Sequence, residues 1–268
     1  MNSIISFFLW VLLGVLQGSL EWLPISSKTF LLIYSHQVLG IPSEISYDLS
    51  LFLQSSSVVA LLIFFRRDLY QILISLRKRS DQNSPEYNML YFIFLVTLIT
   101  GLIGLSLYFL VKPLLIDYYR QLMFLAGCFI FITGIIRYYL RTSDRSITSL
   151  NVKDVLIIGF LQAFSVLPGV SRSGITIIGF ILLGFNTQNS IYLSFLMGIP
   201  VLFGSLLLEY FISDLILSSL TFHLILSYTV SIMVSVIMIF VFMKYLSRLP
   251  PYFIALLFST MPILTSLL

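Results

Sequence analysis

Charge is scarce in this sequence. Of its 268 residues 10% are charged and 59% hydrophobic, whereas an ordinary soluble domain carries about a quarter charged residues. A water-soluble globule is excluded. The surplus of 15 Lys+Arg over 11 Asp+Glu gives a formal charge of +4, but no soluble domain gathers those cations into a patch, so a nucleic-acid binder is excluded too. Cysteine is nearly absent. Cys128 lies alone in an apolar run, leaving no disulfide framework and no metal-ligand spacing. What is present in abundance is apolar sequence, and it predicts an all-α, multi-pass protein of the plasma membrane.

A membrane-crossing helix needs about 20 predominantly apolar residues. Six stretches meet that requirement, at roughly 47 to 65, 88 to 111, 119 to 140, 189 to 211, 221 to 243 and 251 to 268. Two further apolar regions, about 4 to 39 and 154 to 184, are each interrupted near the middle by Pro, Gly, Ser and a charge. They are expected to enter the bilayer halfway and turn back. The first has neither a charged leading segment nor a small-residue cleavage site before Glu21, so it is expected to belong to the mature protein. With six full spans, Arg66, Arg67, Arg77, Lys78, Arg79, Arg137, Arg141, Arg145, Lys153, Lys244 and Arg248 fall on one side, against Lys112 and Arg120 on the other. That asymmetry predicts a cytoplasmic face for the cation-rich side and both termini outside.

The chain also repeats itself. Shifted by 144 positions, residues 23 to 53 align with 167 to 197 and share nine identities, among them Leu23/Leu167, Pro24/Pro168, Ser27/Ser171, Gly40/Gly184 and Ser50/Ser194. One residue of slip extends the match to Gly14-x-x-Gln17 and Gly159-x-x-Gln162. Each copy, about 1–140 and 150–268 of a single integral-membrane domain, holds one broken region followed by three spans. An odd number of crossings turns the second copy upside down, which predicts an inverted repeat with its two breaks meeting near the midplane. Their tips are expected around Ser26, Ser27, Ser171, Arg172 and Ser173.

Three charges lie at those breaks: Glu21, Lys28 and Arg172. Each costs about 2.5–3.5 kcal/mol at the centre of a span on insertion scales, so each needs a partner. A structural ion pair of Glu21 with Lys28 or Arg172 would satisfy neutrality alone. It would not call for the hydroxyls of Ser26, Ser27, Thr29, Ser171, Ser173 and Thr176 around it. The second break, PGVSRSG, places backbone N–H groups at a helix start beside a guanidinium, a combination suited to phosphate. One helical turn apart, the Glu21 carboxylate and the Gln17 amide oxygen suit a hard cation, Mg2+ or Ca2+.

QGSLEWLPISS and LPGVSRSGIT resemble the two signature motifs of the undecaprenyl-diphosphate phosphatases, the bacitracin-resistance protein family, and the likeness spans the chain in length, hydropathy and motif order. Gln54-Ser55-Ser56-Ser57 and Arg66-Arg67 are further family-like features. The resemblance implies an integral-membrane enzyme that converts a polyprenyl diphosphate to its monophosphate with a divalent cation. Carried over by position, it marks Glu21, Ser27 and Arg172 as catalytic. Around them it sets Gln17, Ser26, Ser171, Ser173 and Thr176; the residues themselves add Lys28, Gln162, Gly169 and Gly174 toward the substrate, with Ser26, Ser171, Ser173 and Thr176, and Gln17 with Glu21 toward the metal. One departure matters. Where the family usually continues Thr-Gly-His after the serine pair, this chain has Lys28, Thr29 and Phe30. A phenylalanine transfers no proton. His36 is about 240° round a helix from Phe30, and His223 begins a distant span, so both are expected to be interfacial.

The expected chemistry has Arg172, Lys28 and the N–H groups of the second break holding the diphosphate. Ser27 or an activated water then attacks the terminal phosphorus. Glu21 serves as base or metal ligand, or Lys28 activates Ser27. The expected partners are a polyprenyl diphosphate, the bilayer and, left open, a second copy in a homodimer, with the site opening to the outer side. Two competing readings use the same residues: a transporter or flippase for lipid-linked phosphates, because opposed broken helices are a common transporter plan, and a relative whose missing histidine has abolished catalysis.

Overall fold

The computed structural model describes residues 3–23, 27–77, 84–139, 145–166, 170–212, 222–250, 252–254, 256–257 and 260. The described residues build nine α-helices. The first three are α1 (Ser3–Leu20), α2 (Ser27–Gln37) and α3 (Ser43–Phe64), and α4 (Arg66–Arg77) and α5 (Pro85–Tyr139) follow. After a 3-10 turn at Ile147–Ser149 come α6 (Val152–Ala163), α7 (Arg172–Leu182), α8 (Thr187–Ile212) and α9 (Phe222–Lys244). Three stretches are long and apolar enough to cross a membrane, Pro85–Leu107 within α5, Thr187–Leu207 and Phe222–Arg248; counting α3 and α4, bent by 74° at Phe65, makes four. Large apolar side chains such as Phe94, Leu102, Met233 and Ile237 point outward, while Ser, Gln and Arg side chains are buried between the helices. This is a multi-pass membrane protein.

The two breaks expected from sequence are present. Helix α1 ends before the turn at Glu21–Leu23 and α2 starts at Ser27; α6 gives way to a 3-10 turn at Phe164–Val166 and α7 starts at Arg172. Both short helices, α2 and α7, have 11 residues, and each is followed by a tight turn at a glycine with positive φ, +69° at Gly40 and +99° at Gly184. These glycines are a repeat pair. At Gly184 the Phe185 N–H reaches back to the Phe180 carbonyl at 3.1 Å, a Schellman closure that requires the left-handed residue.

Long helices seat the broken ones through small residues. On α1, Gly14 and Gly18 lie so close to α9 that a Cβ on Gly18 would stand 2.7 Å from the Ser231 carbonyl oxygen. On α6, Gly159 presses against Ile99 of α5, where a Cβ would stand 2.8 Å from a side-chain methyl carbon, and its carbonyl accepts a bond from Thr100 at 3.2 Å. Gly14 and Gly159 are repeat counterparts, and α9 occupies in one half the place that the start of α5 occupies in the other. Small residues of this kind let membrane helices approach to backbone contact. Helices α3 and α8 pack together between these pairs.

One expected feature differs. Helix α5 runs 55 residues without interruption, about 80 Å at 1.5 Å per residue, where two spans separated by a turn near 112–118 were expected. Between 108 and 120 there is no glycine or asparagine to close a helix, only Pro113. Most of the last expected span, 251 to 268, lies outside the described residues.

Candidate active site

The site is assembled at the point where the two breaks touch. Because α1 stops at Leu20, Glu21 sits in a turn rather than on a helix face, and its backbone carbonyl is left for the other break: Ser173 donates its hydroxyl to it at 3.1 Å. Ser171 does the same to the Leu23 carbonyl at 3.0 Å. Two hydroxyls of the α7 start thus fasten it to the turn after α1. Ser171 also caps α7, accepting the Gly174 N–H at 3.2 Å, so that N–H is already engaged. The Thr176 hydroxyl donates to the Arg172 carbonyl at 2.9 Å and meets the Ser194 hydroxyl on α8 at 2.6 Å. Ser171, Ser173, Gly174 and Thr176 therefore shape the break by holding its backbone.

The Glu21 carboxylate, almost fully buried, gathers three side-chain donors. Ser27 donates to Oε2 at 2.7 Å, Gln17 to Oε2 at 3.2 Å, and Gln54 to both oxygens at 3.3 Å. Its ion pair with Arg172 is long, 3.7 Å from Nη2 to Oε1. Arg172 is anchored by one bond, Nη1 to the Ser194 carbonyl at 3.1 Å, and its guanidinium lies flat against Gly198, where any side chain would collide with it. Its Nε and Nη2 are buried with no hydrogen-bond partner among the described residues. A simple structural pair would not leave two donors of a buried guanidinium unmet.

Glu21, Ser27, Gln54 and Arg172 line a small, partly open cleft of about 80 Å3, and Gln17 stands behind them, outside its lining. Glu21, Ser27, Lys28, Gln54, Ser165, Ser171 and Arg172 form its polar end. Glu21 is the one carboxylate in that lining, and no cluster of three His, Cys, Asp or Glu occurs among the described residues. The Gln17 amide turns its nitrogen to Glu21, and its oxygen Oε1 is buried without a hydrogen-bond partner among the described residues, so a carboxylate and an unmet amide oxygen belong to neighbouring side chains. That donor set fits Mg2+, which is commonly held by one or two carboxylates plus substrate phosphates.

Not every expected residue reaches the cleft. Gln162 is fully buried and donates to Thr100 on α5 at 3.2 Å; the repeat partner of Gln17 braces α6 against α5 and is absent from the cleft lining. Ser26 and Gly169 lie outside the described residues. His36 is exposed, bonded to the Ile41 carbonyl at 2.9 Å, and His223 packs beside Trp10 and Phe222. Both are remote from the cleft, as expected. Two participants were not assigned a role from sequence. Gln54 stands in the sequence as part of a polar run, and an amide in the middle of an apolar span is itself a site signal. Ser194 was visible as the repeat partner of Ser50. Arg145, counted among the orienting cations, is instead a structural staple: it bonds Asp154 at 2.8 and 3.0 Å and the Leu183 and Ser149 carbonyls, and stacks on Phe185.

Comparison with known proteins agrees with the motifs. The profile described as "Bacitracin resistance protein BacA" matches residues 10–260. A protein of Saccharolobus islandicus strain M.14.25 named undecaprenyl-diphosphatase is 39% identical over 199 residues, 73% of this chain and 70% of its own length. The protein of that name from Sulfurisphaera tokodaii is 34% identical over 197 residues, 73% and 70% of the two chains. Undecaprenyl-diphosphatase 2 of Halalkalibacterium halodurans is 33% identical over 214 residues, 77% and 74%. With a family profile covering most of its length and relatives matched over more than two thirds of theirs, the chain belongs to the bacitracin resistance protein BacA family.

Proposed function

We propose that this protein is an integral-membrane hydrolase that converts undecaprenyl diphosphate, or a closely similar polyprenyl diphosphate, to the monophosphate and inorganic phosphate. The observation that carries the reading is the Ser27–Glu21–Arg172 constellation. A hydroxyl donates at 2.7 Å to a buried carboxylate, and the neighbouring guanidinium, in a long ion pair with that carboxylate, has two nitrogens without a hydrogen-bond partner among the described residues. Nucleophile and base within hydrogen-bond reach, with a cation beside them, are the parts that phosphoryl transfer needs.

In the proposed chemistry Arg172 and Lys28 bind the diphosphate oxygens at the polar end of the cleft. Ser27 Oγ attacks the terminal phosphorus while its proton passes to Glu21 Oε2. The bond from phosphorus to the bridging oxygen breaks, and the prenyl monophosphate leaves. The departing monophosphate takes the proton from Glu21; water then attacks the phosphoserine, giving a proton to the regenerated Glu21 carboxylate as the phosphorus–Oγ bond breaks, and Glu21 returns it to Ser27 Oγ with release of inorganic phosphate. Glu21 thus does the work for which the family usually offers a histidine near Phe30. A divalent cation would be held by Glu21 and Gln17 and would supply neutralisation of phosphate charge. Gln17 and Gln54 hold the carboxylate in place by donating to it.

The proposed topology is the inverted repeat with six spans, both termini outside and the cleft opening outward. What supports it is the pairing of repeat positions in equivalent roles: Gly40 with Gly184 at the turns, Gly14 with Gly159 at the helix contacts. The six-span form needs α5 to supply two spans. The transporter reading is not favoured, since the relatives are named as diphosphatases.

Phosphate release by the purified protein, given farnesyl or undecaprenyl diphosphate and Mg2+, tests the function. Wild type is expected to turn over, and Glu21→Gln and Ser27→Ala to lose at least about a hundredfold in kcat. No release by wild type overturns the hydrolase reading. A fully active Ser27→Ala would exclude serine as the nucleophile and direct the attack to water.

A further inference from the structure

Helix α3 turns by 74° at Phe65 straight into α4, and the elbow carries Arg66 and Arg67, both exposed. Neither arginine makes an ion pair among the described residues. Arg66 makes one long bond back to its own chain, from Nη1 to the Ile63 carbonyl at 3.4 Å. Asp68, the only carboxylate on α4, is engaged elsewhere: it accepts the Tyr192 hydroxyl of α8 at 3.0 Å. Phe65, buried at the corner, packs edge-on against the Tyr192 ring and fixes the bend. Helix α9 runs beside α3 in the same direction, with Ser56 against Ser231 at 2.6 Å and, farther along both, Ile63 and Phe64 beside Val236. Those three apolar residues and the two arginines enclose an open groove of about 350 Å3, within the range of roughly 300–1,000 Å3 usual for ligand sites.

We propose that this elbow groove binds an anionic phospholipid of the bilayer, its phosphate held by Arg66 and Arg67 and its acyl chains laid against α3 and α9. Guanidinium forks match phosphate oxygens, and the nearby carboxylate that would compete for them is taken by Tyr192. The apolar part of the groove continues into outward-facing surface, Leu62 and Ile63 on α3 and Met233 and Ile237 on α9, all exposed. In a membrane that surface meets acyl chains, so headgroup and chain contacts adjoin as they do in one lipid. A third cation approaches along α9. Val236, Phe240 and Lys244 share one face at intervals of four, and the Lys244 ammonium lies over the Phe240 ring at 5.2 Å, drawn back along the helix toward Val236. A zwitterionic headgroup would bring its own ammonium beside two unpaired arginines, whereas an anionic one neutralises them; basic pockets between membrane helices select anionic lipids for this reason. The groove shares no lining residue with the Glu21–Arg172 cleft, and the inference does not depend on the hydrolase reading.

The test titrates lipid onto the purified protein in a neutral detergent and reads the bound masses by native mass spectrometry. The probes are phosphatidylglycerol, phosphatidylcholine and, as the headgroup alone, glycerol 1-phosphate. Wild type is expected to bind phosphatidylglycerol about tenfold more tightly than phosphatidylcholine, and to bind glycerol 1-phosphate far more weakly than either lipid. Arg66→Gln combined with Arg67→Gln is expected to abolish the preference. Val236→Trp, which fills the groove and leaves the charge unchanged, is expected to weaken phosphatidylglycerol about tenfold. Lys153→Gln removes an exposed cation outside the groove and is expected to change binding by less than about twofold. If the double variant does not fold, Arg67→Gln alone and Val236→Trp decide the matter. No preference in wild type, an equal loss in Lys153→Gln, or a preference that survives Val236→Trp would overturn the proposal. Glycerol 1-phosphate bound as tightly as the lipid would overturn it too, assigning the arginines to a free anion. Since phosphate release is not read, a protein inactive as a hydrolase would still give the answer.

Discussion

Two arginines in this fold show how a residue's surroundings separate structure from function. Arg145 uses every guanidinium nitrogen, on Asp154, Ser149 and the Leu183 carbonyl. Arg172 makes one hydrogen bond, to the Ser194 carbonyl, and a long ion pair to Glu21, while its buried Nε and Nη2 have no hydrogen-bond partner among the described residues. Asp154→Asn should therefore cost stability, about 1–3 kcal/mol from the lost charged bonds, seen as a lower melting temperature in detergent with phosphate release per folded molecule unchanged. Gly198 is expected to behave oppositely. The three atoms nearest to an added Cβ all belong to the Arg172 guanidinium, so Gly198→Ala should displace that group and lower kcat/KM by about a hundredfold while the melting temperature moves little. Gln54 is expected to act as a positioning residue. Gln54→Ala should lower kcat more than it raises KM, and Gln54→Asn should not rescue it, because the shorter amide falls short of both Glu21 oxygens.

At the scale of elements, the breaks matter more than the helices. Had α1 continued past Leu20, the Glu21 carbonyl would be bonded within its own helix; ended there, it is free to receive Ser173. Helix α7, starting at Arg172, places that residue in its first turn, where hydroxyls from both sides of the start fix the backbone. The long helices supply rigid walls, and their grip depends on glycine. Gly18→Leu is expected to force α1 away from α9, since even a Cβ would meet the Ser231 carbonyl, with a loss of about 1–3 kcal/mol for overpacking. Glu21 would be displaced with α1, so activity per folded molecule should fall as well, which distinguishes this change from Asp154→Asn.

For the molecule as a whole, the inverted arrangement predicts that the two glycine turns face opposite sides of the membrane. With Cys128 replaced by serine, an impermeant maleimide should label Gln37→Cys, beside the Gly40 turn, in intact cells. Gln188→Cys, beside the Gly184 turn, should label only after permeabilisation; labelling of both from one side would rule out the inversion. Much of this was determined by sequence alone. Low charge content specified the membrane as solvent, the 144-residue offset paired the turns and the breaks, and Glu21, Lys28 and Arg172 stood out because charge is costly at those depths. These are properties of composition and period, which survive without coordinates. The tertiary structure decided what depends on distance: that Ser27 meets Glu21, that Gln54 joins from α3, that Gln162 turns away to Thr100, and that Arg145 is a staple. Sequence separation carries no information about such contacts, because each joins side chains from elements whose packing is set by backbone approach at glycine and by the hydroxyls that close the breaks.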